Sequence, residues 1–151
     1  MAADIHNEVV SELKLKFKDT IYKVTIPPPV FAKMNGRVIT FDLNLKIMKI
    51  DFPIMREYLN PFGSMQGGMI AAAIDNTIGP LSMLVAPLNY SRQLEVKYRK
   101  QIRADTKFIT VIGEYVDRKK SQLYFSAKVI DSKNNELASA KAIHWIVDEN
   151  N

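Results

Sequence analysis

The chain has 151 residues, 47% hydrophobic and 25% charged, with no cysteine and a formal net charge of +5. That length suits one domain with a real core, and the composition excludes a disulfide framework, a thiol nucleophile and a thiolate metal site. The positive charge favours an anionic partner such as a phosphate-bearing cofactor, an anionic membrane or nucleic acid, without choosing among them.

Ile5, Val9, Leu13 and Phe17 recur at helical spacing, so residues 4–17 are predicted to form an amphipathic helix. Asp4, Glu8 and Glu12 interrupt any apolar core there, so no signal peptide is expected. Pro27-Pro28-Pro29 should force extended backbone. Residues 37–51 alternate β-branched and apolar side chains and read as a hairpin with its turn near Asp42 to Asn44. Residues 52–66 read as a loop punctuated by Pro53, Asn60, Pro61 and Gly63.

A small-residue helix is expected to begin at Gly67 and to end or kink at Gly79-Pro80. Its Ile70, Ile74 and Ile78 stripe should face a sheet, and Ala71, Ala72 and Ala73 should let it sit close. The run Met69 to Ile74 is too short to span a bilayer, so no membrane insertion is expected. Four strands follow: one around Leu94, Val96 and Tyr98, then 107–116, 122–130 and 136–147, with polar connections at 117–120 and 131–135. The fold class is therefore α+β, one helix on an antiparallel meander. Residues 1–34 form an N-terminal helix and a Pro-rich lead-in; residues 35–151 form the main body of a single domain.

The most informative stretch runs from Asn60 through Gly63, Gln66, Gly67 and Gly68 to Asp75. A helix start leaves unpaired amides and partial positive charge, and glycine lets a ligand approach the backbone closely. Such a tip can hold a developing oxyanion. Asp75 is a lone carboxylate on an apolar helix, costly to bury without partners and able to act as nucleophile or general base. Eight residues of helix span roughly 12 Å, so one acyl carbon cannot touch both Gly67 and Asp75 of one chain. A twofold axis pairing antiparallel helices would bring them together across a dimer.

The pattern Asn60-x-x-Gly63-x-x-x-Gly67-Gly68-(six residues)-Asp75, followed by a meander, resembles the hotdog-fold acyl-CoA thioesterases, on the phenylacetic-acid-degradation branch. The resemblance covers roughly residues 35–147. It implies a hotdog fold, a long central helix wrapped by a curved antiparallel sheet, and hydrolysis of an acyl-CoA thioester to free acid and CoA. It implies Gly67 as oxyanion donor and Asp75 as nucleophile or general base. Asn60 would place the thioester or the water, Ser91 would hold the water, and Gln66 and Gly68 would line the substrate site. The basic turn Arg118-Lys119-Lys120-Ser121 matches a CoA contact region. The family usually has His where this chain has Gln66; glutamine hydrogen-bonds but carries no proton. No cofactor beyond the substrate's own CoA is implied, and no metal. The implied assembly is a homodimer, itself assembling to a homotetramer, in the cytoplasm.

Other readings are weighed against this one. Gln66 keeps open a non-catalytic acyl-CoA or fatty-acyl binding protein. A hydratase would want a His in the motif. His6 reads as an exposed helix residue and His144 as a plain strand residue. Lys97 and Arg99 share a strand face with Glu95, which speaks for a solvated surface, and no interleaved aromatics favour nucleic acid.

Overall fold

The computed structural model describes residues 4–148. Helix α1 spans Ile5–Lys16, with Asp4 as N-cap accepting the amide of His6, and it buries Val9 and Leu13. A short α2 covers Pro29–Lys33. Pro28 is extended as the proline run predicts, and only Pro29 departs from that reading by entering a helix. Pro29 sits in the first helical turn, where an amide has no intrahelical acceptor and its loss costs nothing.

Strand β1 (Arg37–Asp42) pairs antiparallel with β2 (Ile47–Pro53), so the turn extends to Lys46, which takes a positive φ of 55°. After a 3-10 turn at Arg56–Tyr58, helix α3 runs Gly67–Val85. It continues through Pro80. Gly79 lacks the Cβ that would clash with the proline ring, and the Ser82 hydroxyl bonds the Gly79 carbonyl at 2.7 Å. The helix closes at Ala86, where the Lys16 ammonium of α1 donates to the carbonyls of Met83 and Ala86, the latter at 2.7 Å. A cation there answers the negative end of the helix dipole.

Strands β3 (Asn89–Tyr98), β4 (Phe108–Lys119), β5 (Gln122–Ile130) and β6 (Glu136–Ile146) complete one sheet in the order β1-β2-β4-β5-β6-β3. The predicted four-strand meander is thus three strands. β3 crosses to the far side and pairs with β6, not with β4. It is an edge strand with one neighbour. Bulges interrupt the ladders near Val38, Arg92, Val116 and Ile130, where they increase local twist. β4 continues to Lys119, so the turn to β5 is tighter than the polar segment 117–120 predicts.

Helix α3 crosses the inner face, touching β2, β3, β4 and β5. Ile70, Ile74, Ile78 and Leu81 meet Met48, Ile50, Phe52, Ile109, Val111, Leu123 and Phe125, all buried. Truncating one of these isoleucines to alanine should cost about 2–5 kcal/mol. A Cβ on Gly113 would stand 3.2 Å from the Thr77 methyl, which is why the sheet is bare there. α3 as a whole has 19 residues and is long and apolar enough to cross a bilayer, with 39% of that apolar span buried in the single chain.

Candidate functional site

The predicted site residues separate into two groups at different levels of α3. The first surrounds its N-terminus. Gln66 is the N-cap but gives no side-chain cap, and among the described residues nothing engages the amides of Gly67 and Gly68. Tyr98 Oη donates to the Gly67 carbonyl at 2.7 Å. A Cβ on Gly67 would stand 3.2 Å from that ring, whereas one on Gly68 would meet nothing in its own chain. So Gly67 packs closely against the exposed Tyr98 ring, which a larger residue would push aside, and Gly68 has open space beside it in its own chain.

Asn60 faces the same cleft, about 290 Å³, which Gly67 and Tyr98 also line. Its Oδ1 accepts the amides of Phe62 and Ser64 at 2.9 and 3.1 Å, the Asx-turn geometry that a turn residue gives. Among the described residues its Nδ2 donates no hydrogen bond. Ser64 was not singled out by the sequence. It is buried, its Oγ has no partner, and it lines this cleft.

Asp75 lies two turns further along α3, on another cavity of about 350 Å³. Ser91, Asn89 and His144 line the same cavity. Ser91 on β3 stands opposite His144 on β6 in the strand register, and cross-strand partners share a face. Burial raises the Asp75 carboxyl above its ordinary pKa, and hydrogen bonding from the Ser91 hydroxyl works the other way. One side of Asp75 stays open to solvent in the single chain.

His144 is the residue the sequence reading undervalued. It is buried, its ring 5.0 Å from Phe125. Its Nδ1 lies 2.8 Å from Asn89 Oδ1, and its Nε2 has no hydrogen-bond partner among the described residues. Burial lowers its pKa to about 4, so it is a neutral hydrogen-bonding group at pH 7. His6 also departs from expectation: its Nδ1 accepts the Val38 amide at 3.2 Å and its ring stacks near Phe31.

Arg118, Lys119, Lys120 and Ser121 are exposed at the β4–β5 tip. Arg118 Nε donates to the Lys120 carbonyl at 2.9 Å. Lys119 lies over Tyr124, and Arg92 over Trp145 at 4.6 Å. Gln122 and Tyr90 both pair with Trp145, so this basic, aromatic-bearing tip lies at the sheet end that carries Ser91 and His144. The chain does not fold the tip onto Gly67.

No family model and no curated protein matches this chain. Solved structures do. The Escherichia coli PaaI protein of the phenylacetic acid degradation operon superposes with a TM-score of 0.75 at 10% identity, over 92% of this chain and 96% of that one. A phenylacetic acid degradation-related protein from Ralstonia eutropha gives 0.74 at 18%, over 88% and 97%. A Streptococcus mutans protein bound to acetyl CoA gives 0.70 at 15%, over 85% and 97%. The fold is therefore the hotdog fold of the PaaI-type structures, an N-terminal helix, a long central helix and a six-stranded antiparallel sheet.

Proposed function

We propose that this protein hydrolyses acyl-CoA thioesters, at a site assembled from two copies of the chain. The observation that carries the reading is the split of the site residues along α3. Unpaired amides with Asn60 sit at one level; Asp75 with Ser91 and His144 sits about 12 Å away by helical rise. Neither group alone has both an oxyanion donor and a base. The outer edge of β3 is free to pair with its twofold copy, which would set one chain's Asp75 against the other's Gly67. A homotetramer would be a dimer of such pairs.

In this scheme the thioester carbonyl accepts the Gly67 amide at the positive end of α3. Asp75 takes a proton from a water held by Ser91, and the hydroxide adds to the thioester carbon. The alternative step is direct attack by the carboxylate, giving a mixed anhydride that water then opens. Collapse of the oxyanion expels the CoA thiolate, which takes up the proton. A carboxyl pKa raised by burial makes Asp75 a stronger base than a solvated aspartate. Lys119, Lys120 and Arg118 would meet the CoA phosphates, with Gln66 and Gly68 beside the pantetheine arm. Ligands of solved relatives support this choice, since the Streptococcus mutans structure holds acetyl CoA and a Streptococcus pneumoniae one holds coenzyme A.

The test is thiol release from a panel of acyl-CoAs by wild type and Asp75→Ala. Turnover should fall by several orders of magnitude with the thermal melt unchanged. An Asp75→Ala protein as active as wild type would refute the assignment.

A further inference from the structure

The cavity that holds Asp75 is walled on one side by the N-terminal segment. Val9, Val10 and Leu13 of α1 and the stretch 24–28 line it, facing Asp75, Gly79 and Met83 of α3. These last three are spaced four apart, so they stack on one stripe of the helix. A side chain at Gly79 would find open space; the middle of the stripe is bare. The polar groups Asp75, Ser91 and His144 lie on the same cavity, with Asn76, Ser82 and Asn89 also on its wall, while Val9, Val10, Leu13, Ile26 and Met83 give it a mostly apolar lining.

The α1 wall is fixed rather than loose. Lys16 ties the end of α1 to the carbonyls of Met83 and Ala86, and His6 ties its start to the Val38 amide. The chamber between α1 and α3 therefore has a defined width.

We propose that this chamber receives the acyl chain, that α1 is its side wall and Met83 closes its far end, and that the substrate class is unbranched medium-chain acyl-CoA. The proposal rests on the thioesterase reading above. Two measures of size agree. Asp75 to Met83 spans about 12 Å of helix, which at about 1.2 Å per bond of an extended chain is on the order of ten bonds. The cavity holds about 350 Å³; at about 30 Å³ per water-sized atom this is on the order of a dozen heavy atoms. Val10 on the side wall and Met83 at the far end then set the limit on length.

The experiment measures kcat/KM on saturated acyl-CoAs from butyryl to palmitoyl and on an aromatic acyl-CoA, with the full-length protein. Wild type should be fastest near decanoyl-CoA. Val10→Phe should lower decanoyl-CoA hydrolysis about tenfold or more and leave butyryl-CoA within about threefold of wild type. Met83→Ala should move the optimum to longer chains. Wild-type chain-length profiles in both variants, with wild-type melting curves, would overturn the proposal. If wild type hydrolyses an aromatic acyl-CoA but none of the saturated panel, the medium-chain class is overturned and the thioesterase reading stands; if it hydrolyses neither, the thioesterase reading fails by itself. Calorimetry with the thioether analogue of decanoyl-CoA then decides the chamber: binding that Val10→Phe weakens about tenfold upholds it, and no binding, or binding indifferent to Val10→Phe, overturns it.

Discussion

His144 Nδ1 and Asn89 Oδ1 are 2.8 Å apart, and the Asn89 amide nitrogen already donates to the carbonyls of Ser82 and Pro87. The asparagine oxygen must therefore be the acceptor, which places the proton on His144 Nδ1. Nε2 is left as a buried acceptor without a partner among the described residues, on a residue that lines one cavity with Asp75 and Ser91. A neutral histidine is thus locked in one tautomer by the end of α3.

This histidine predicts an acid-labile fold. Its folded pKa of about 4 lies below its unfolded value near 6.5. Between the two, the unfolded chain binds the extra proton, so stability falls as pH drops through that window. The loss approaches about 3 kcal/mol below it. Thermal melts from neutral pH down through this window should show a steeper decline for wild type than for His144→Gln. Parallel declines in the two proteins would remove His144 from the account.

The proposed site gives Gly67 two separable roles, against Tyr98 and against substrate. Gly67→Ala forces the Tyr98 ring to move and should cost stability as well as turnover. Tyr98→Phe alone should lose the 2.7 Å bond to the Gly67 carbonyl, worth about 1 kcal/mol. Adding Tyr98→Ala to Gly67→Ala removes the clash. Relief of steric strain should show in the melt of the double variant while hydrolysis stays depressed. If hydrolysis returns with stability, Gly67 serves packing only.

Asp75 predicts the pH–rate profile. Its raised carboxyl pKa should place the acidic limb of kcat/KM above the range of a solvated aspartate, with activity falling as the carboxylate protonates. Ser91→Ala removes the hydrogen bond that opposes this shift, so the acidic limb should move to still higher pH. An unchanged limb in Ser91→Ala would separate Ser91 from the base.

Much of the fold is legible in the sequence, and the misses have physical causes. The period of Ile5, Val9 and Leu13 marks α1, and Gly67 marks the start of α3, because both signals are local. The partner of β3 is not local: alternation shows that Leu94, Val96 and Tyr98 share a face, not that the face joins Ala138, Ala140 and Ala142 of β6. Pro29 misleads because the first helical turn needs no amide, and α3 does not end at Pro80, although the proline forfeits the bond to the Asn76 carbonyl, because packing on the sheet carries the helix on to Val85. His144 carries a signal that was passed over. Period two from Ala138, Ala140 and Ala142 puts it on the inward face. The Gly67-to-Asp75 spacing is legible as a distance, whereas Ser64 and the chamber under α1 depend on which segments the fold brings together.

Complementation between two disabled chains tests the shared site most directly. Asp75→Ala keeps its Gly67, and a Gly67→Val chain keeps its Asp75. Mixed through a refolding step, half of the dimers should be hybrids, each with one intact site, so about one quarter of wild-type turnover should return. A mixture no more active than its separate components, with hybrid dimers shown to be present, would contradict a site built across two chains.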